Sequence, residues 1–295
     1  MFILFSHVLI ALVLILADAV TPPPLHAFLG STPTLDGFLS PTEWVDSTAF
    51  GGIATFDAGF FPVLDPADLD IAGFVKHDGS RLYFAFNITD DLLYYYSTPP
   101  WLPAGNPSAE NLTRDGWPWF GDEMEILVNA PNTYNDIYDE PTGTPGVWQM
   151  VCNLHKSRLG GLGIGGLMEG EPRSSPTAWS NYQEWIYART MECAVQRFPG
   201  AGVNGSSVYG MEWAIDFHPL LQRAPGVYYN VSQGSVNMGL NIALGDTDTF
   251  TQGDPTYGLR HEMWWNGNTS CANHGNCHTL LSYFGTLVME PGAKP

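Results

Sequence analysis

The stretch "IAGFVKHDGSRLYFAFNITDD" (71–91) constrains the fold more than any other in the chain. Two runs with alternating apolar residues flank the dipeptide Asp78-Gly79. Period-two alternation turns one face of a strand toward a core, and Asp-Gly between two such runs is a strong hairpin turn signal. The same short, strand-like pattern recurs in "GDEMEILVN", "VWQMVCNLH", "YQEWIYARTMECAVQRF", "YGMEWAIDF", "VNMGLNIALGD" and "YFGTLVME". No window of helical length shows helical periodicity, and "FHPLLQRA" holds one helical turn at most. "TLDGFLSPTEW" reads as a short strand and turn, with Ser40-Pro41-Thr42-Glu43 opening a helical turn and Trp44 tucked inward. Thirty-two glycines and 23 prolines punctuate these runs. The pattern predicts an all-β fold, an antiparallel β-sandwich of jelly-roll or immunoglobulin-like type with long loops.

The beginning of the chain reads as a targeting segment. Val8–Leu16 is an apolar run of signal-peptide length, and Ala17-Asp18-Ala19 fits the small-x-small cleavage pattern. The run falls short of the roughly 20 residues that a membrane span needs, so no transmembrane anchor is expected. Residues 1–19 are assigned as a signal peptide, 20–33 as a Pro-rich lead-in that is extended or loosely packed, 34–291 as a single sandwich and 292–295 as a tail. Secretion to an extracellular setting agrees with four cysteines and five Asn-x-Ser/Thr sequons, at Asn87, Asn111, Asn204, Asn230 and Asn268. The favoured disulfide pairing is Cys152–Cys193 and Cys271–Cys277, although spacing alone leaves the other two pairings open. A net charge of −19 makes nucleic acid and anionic membrane surfaces poor partners.

Chemistry-bearing motifs mostly dissolve on inspection. "GLGIGG" at 161–166 fits G-x-G-x-x-G, but "LMEGEPRSSP" after it will not form the helix a dinucleotide site needs, so the stretch is read as a flexible loop. "CANHGNCH" sets His274 and His278 among two cysteines, which in an oxidising compartment pair with each other rather than hold zinc. No G-x-S-x-G elbow or C-x-x-C-H haem attachment site is present. Glu123 and Glu125 alternate onto one strand face at about the 5–9 Å that glycoside hydrolysis uses, yet carboxylates side by side on one strand do not flank a scissile bond. Alternation alone explains them, with Met124, Ile126 and Val128 facing the core and the acids facing out. No catalytic residue is assigned. An indole can cover the C–H face of a sugar ring, and a nearby carboxylate accepts charge-assisted hydrogen bonds from its hydroxyls. Trp119 and Glu125 supply that pair of groups.

Seven blocks in order resemble the family 9 carbohydrate-binding module, within the DOMON-like β-sandwiches: "LDGFLSPTEW", "VKHDGSRLYFAFNITDD", "WFGDEMEILVN", "WQMVCN", "MEWAIDF", "NMGLNIALGDTD" and "FGTLVME". The resemblance covers about Thr34 to Glu290. It implies non-catalytic binding of small sugars or glycan chain ends, with Trp119 as one clamp, Glu125 as the acid, and Gln149 and Asn153 as polar partners on the next strand. Family members also bind structural calcium, for which the resemblance assigns no ligands here. Val151 stands where an arginine is often found. The loop "NGNTSCANHGNCHTLLSY" has no tryptophan for the second clamp, so Trp264 or Trp265, or else His274 and Tyr283, would take that place. Two other readings follow from the same residues: an extracellular structural or matrix glycoprotein that self-associates and has lost the clamp, and a haem-binding DOMON-like cytochrome domain.

Overall fold

A computed structural model describes residues 23–52, 57–58, 67–93, 122–132, 147–153, 167–170, 191–198, 200–202, 205–249, 259–265 and 284–295. The strands in chain order are β1 (Leu25–Ala27), β2 (Thr48–Gly51), β3 (Asp57–Ala58), β4 (Leu69–His77), β5 (Arg81–Asp90), β6 (Glu123–Asn129), β7 (Val147–Asn153) and β8 (Leu167–Gly170). They continue with β9 (Met191–Phe198), β10 (Ser207–Asp216), β11 (Gln222–Ala224), β12 (Val227–Tyr228), β13 (Val236–Thr249), β14 (Leu259–Trp264) and β15 (Gly285–Met289). A single helical turn, α1 (Phe217–Leu220), follows β10, where "FHPLLQRA" predicts one.

Two sheets make the sandwich. The smaller runs β2-β4-β5-β10-β9, and the larger runs β1-β15-β13-β6-β7-β8. β13 is long enough to pair with β15 through its first half and β14 through its second, with β6 along its other side. Among the described strands pairing is antiparallel except for β1 against β15, and a parallel bridge joins Leu29 to His77. The β4–β5 hairpin forms around Asp78-Gly79 as predicted: Gly79 takes φ 94°, and the Asp78 carboxylate accepts from the backbone N–H groups of Ser80 and Arg81.

Alternation puts one face of each sheet into a shared core. Phe84, Phe86 and Ile88 of β5 and Met211, Trp213 and Ile215 of β10 meet Met124, Ile126 and Val128 of β6 and Leu240, Ile242 and Leu244 of β13. Cys152 of β7 and Cys193 of β9 form a disulfide that joins the two sheets. The predicted pairing of Cys271 with Cys277 lies outside the described residues.

The outer face of the smaller sheet is covered by the chain's own residues 30–47. Glu212 of β10, fully buried, accepts from the backbone N–H groups of Asp36 and Gly37 at 2.9 and 2.8 Å and from the Trp44 indole at 3.0 Å. Trp44 packs with Tyr83, Ala85 and Ala214. The fully buried Lys76 bonds Asp46 at 2.8 Å and sits 5.1 Å from the Trp44 ring centroid. Trp44 is inward, as predicted, but "TLDGFLS" forms bends rather than a strand. Glu212 offers those backbone donors a stronger acceptor than a neighbouring strand would.

The lead-in also differs from expectation. Leu25–Ala27 is a strand paired with β15, with Leu25 and Ala27 in the core, and Leu29 and Gly30 bond onward to Gly292 and His77. The tail is likewise tied in, since the Lys294 ammonium donates to the Ser47 carbonyl at 2.6 Å. "LMEG" after the Gly-rich stretch forms β8, which pairs with β7 and ends the larger sheet among the described residues. The signal-peptide segment and residues 161–166 lie outside the described residues.

Candidate functional site

β6 lies between β13 and β7, so each of its residues has a cross-strand neighbour on both sides. Met124, Ile126 and Val128 face the core, as predicted. Glu123, Glu125, Leu127 and Asn129 occupy the opposite face, but not in solvent. Glu123 and Asn129 are inaccessible, Leu127 nearly so, and Glu125 is 7% exposed. Asn241 and Ala243, beside them on β13, are buried as well. The expectation of a solvated acidic face is therefore corrected: alternation assigns the face, whereas a central strand covered on both sides is buried at every position. Glu125 is the most accessible group on this face of β6. A carboxylate in such low-dielectric surroundings makes stronger hydrogen bonds than one in bulk water.

Register lays out the other predicted residues around it. Glu125 pairs with Val151 on one side and Ala243 on the other, and Ala243 pairs with Trp264. Glu125 and Trp264 thus share one cross-strand row, two strand spacings or about 10 Å apart, with only the small Ala243 between. Gln149 and Asn153 hold alternate positions of β7, opposite Leu127 and Glu123. Trp265 goes elsewhere. It is 4% exposed, belongs to the core, and meets Phe50 edge-on with ring centroids 6.5 Å apart. Its position directly after β14 places it in the core between the sheets rather than in the row with Glu125. Trp119, His274 and Tyr283 lie outside the described residues.

Sequence reasoning missed a second constellation at one end of the sandwich. Asp90, Asp122 and Asp246 are buried, and one carboxylate oxygen from each lies within 4.8 Å of the others. Each is the last inward-facing residue of its column: Phe84-x-Phe86-x-Ile88-x-Asp90, Asp122-x-Met124-x-Ile126, and Leu240-x-Ile242-x-Leu244-x-Asp246. The pairing of Glu123 with Gly245 makes Asp122 and Asp246 neighbours on the larger sheet, while Asp90 ends β5 on the smaller. An acid in phase with the apolar positions of its own strand, after them for Asp90 and Asp246 and before them for Asp122, was the available signal.

Two sequons fall within described residues. Asn87 is exposed on β5 between Ala72 and Gly210. Asn230 is exposed at the start of the 3-10 turn Val231–Gln233, its side-chain oxygen accepting from the Ser232 N–H at 2.9 Å. Asn111, Asn204 and Asn268 lie outside.

A scan of protein-family models gives no match to this chain, and a search of curated proteins gives none either. Solved structures do match. A family 9 carbohydrate-binding module from Caldicellulosiruptor kristjanssonii in complex with cellotriose superposes with TM-score 0.51 at 12% identity, over 92% of this chain and 95% of that one. A structure of a family 9 module from the same organism in complex with glucose gives TM-score 0.50 at 12% identity, over 92% and 97%. The chain has the β-sandwich fold of family 9 carbohydrate-binding modules.

Proposed function

We propose that this is a secreted, non-catalytic carbohydrate-binding protein that takes small sugars or glycan chain ends over the β6–β7–β14 region of the larger sheet. The observation that carries the reading is a fold likeness spanning 92% of the chain to modules solved with cellotriose and glucose. The row Glu125–Ala243–Trp264 is consistent with it. An acid and a tryptophan two strand spacings apart are the residue types that grip a sugar ring, by hydrogen bonds to its hydroxyls and by stacking on its C–H face. In this reading Glu125 binds sugar hydroxyls, Gln149 and Asn153 add amide contacts, and Trp119 and Trp264 supply the aromatic walls. Glu123 takes no part as a second acid, because it is fully buried beside Asp122.

Isothermal titration with glucose, cellobiose and cellotriose, preceded by a glycan array, tests the reading. Trp119→Ala and Glu125→Gln are each expected to weaken binding at least tenfold while the thermal unfolding midpoint stays within a few degrees. Absence of binding to every glycan on the array rejects it. One observation favours a second reading, a structural glycoprotein without a sugar clamp: Trp265 is committed to the core, so among the described residues only Trp264 remains near the expected position. Concentration-dependent self-association in sedimentation velocity, with no glycan binding, supports that alternative.

A further inference from the structure

The β11–β12 hairpin belongs to neither sheet of the sandwich. A two-stranded hairpin is marginal by itself, so this one depends on what it is pinned to. Its inner side is anchored by Tyr229, immediately after β12, which donates its backbone N–H to the Leu221 carbonyl at 2.9 Å. Tyr229 is buried and meets Phe217 edge-on with ring centroids 4.7 Å apart. On the outer side Tyr228 is half-buried and rests on the exposed His218, with ring centroids 4.1 Å apart. The half-buried Gln222 stands opposite Tyr228 on β11.

Asn230 lies two residues beyond Tyr228 and opens the sequon Asn230-Val231-Ser232. Its backbone is extended, at φ −145° and ψ 130°. Alternate residues of an extended chain face the same side, about 7 Å apart. Tyr229 between them is buried, so Tyr228 and Asn230 share the side that faces solvent. The Asn230 side chain is held as well: its Oδ1 accepts from the Ser232 N–H at 2.9 Å, and Nδ2, the atom that an N-glycan joins, takes no part in that bond. A sugar on Nδ2 therefore starts beside a phenol ring, and an aromatic face is the surface on which the C–H face of a sugar packs. Asn87 offers the contrast. Ala85 stands two residues before it, and its cross-strand neighbours are Ala72 and Gly210, so a glycan there meets no ring among these neighbours.

We propose that Asn230 carries an N-linked glycan whose first N-acetylglucosamine lies on the Tyr228 ring and braces the β11–β12 hairpin. The transfer forms a bond from Asn230 Nδ2 to C1 of the first sugar of a lipid-diphosphate-linked oligosaccharide. It breaks the bond from that C1 to the diphosphate oxygen, and the lipid diphosphate leaves with the amide proton. Gln222, beside the ring, supplies an amide to the sugar hydroxyls. The inference rests on the secretion in the reading above, not on sugar binding by the larger sheet.

The test expresses the full chain in a secreting eukaryotic cell, maps its glycopeptides by mass spectrometry and follows thermal unfolding. Asn230 is expected to be occupied. Ser232→Ala removes the sequon but keeps the backbone N–H that Asn230 accepts from, and it is expected to lower the unfolding midpoint by roughly 2–4 °C. Enzymatic trimming to the first N-acetylglucosamine is expected to preserve the wild-type midpoint. In a Tyr228→Ala background the effect of Ser232→Ala is expected to vanish, and in Tyr228→Phe to persist. Asn87→Gln is expected to leave the midpoint unchanged. If Tyr228→Ala does not fold, the wild-type chain decides the question: trimming to one sugar keeps the midpoint, and complete enzymatic release of the glycan lowers it. Occupancy at other sequons with Asn230 bare overturns this inference alone, whereas a chain with no sequon occupied overturns the secretion reading with it. An equal effect of Ser232→Ala with and without the Tyr228 ring, or stability lost on trimming to one sugar, also overturns it.

Discussion

Removing the inter-sheet disulfide should cost a large part of the protein's stability. Cys152 and Cys193 are 41 residues apart. In the chain-entropy treatment a loop of that length withholds about 13 cal/mol/K from the unfolded ensemble, or about 4 kcal/mol at 25 °C. Both residues lie in the core, so Ala at both positions deletes only the sulfurs and introduces no polar group, as Ser would. The double variant Cys152→Ala/Cys193→Ala should therefore keep its fold and lose roughly 3–4 kcal/mol in urea unfolding followed by tryptophan fluorescence. A steeper dependence on urea should accompany the loss, because the uncross-linked unfolded chain exposes more surface. A loss under about 1 kcal/mol would refute the reasoning. So would peptide mapping that joins Cys152 to a cysteine other than Cys193.

Three further outcomes follow from the same contacts. Glu212→Ala should cost roughly 3 kcal/mol in urea unfolding, since it strands the buried N–H groups of Gly37 and Trp44; Glu212→Gln should cost less. His77 is held neutral, its Nε2 donating to the Glu290 carbonyl at 2.7 Å and its Nδ1 accepting from the Gly79 N–H. Burial lowers its pKa below the ordinary 6.5, outweighing the Glu290 carbonyl and the Asp78 carboxylate, which act the other way. The unfolded chain thus takes up the proton first, so stability should be full above about pH 7 and fall as pH drops through 6.5. That slope, measured by urea unfolding at stepped pH, should flatten in His77→Phe. Trp265→Ala should cost about 3–5 kcal/mol as a core truncation while leaving sugar affinity unchanged when measured well below its melting point; a selective loss of affinity would return Trp265 to the clamp.

What was legible in the sequence follows from the range of the forces involved. The β4–β5 hairpin needed only local alternation and a turn dipeptide, and it forms as read. The faces of β6 were also local and correct, but the burial of its outer face depends on what lies over the sheet, which alternation does not encode. Leu25–Ala27 is too short to show a pattern, and its strand exists because β15 lies alongside it across most of the chain length. Trp264 and Trp265 are adjacent, so one residue of register decides which joins the core. The three aspartates fell in phase with their strands, yet only the pairing of β6 with β13 and the packing of the two sheets bring them together.

The central claim is that a sugar binds over the larger sheet beside Glu125. The most direct test is a crystal structure of the full chain with cellotriose. The account predicts a sugar ring above the Glu125–Ala243–Trp264 row, hydrogen-bonded to Glu125. Cellotriose bound at any other surface, with this row untouched, would contradict it.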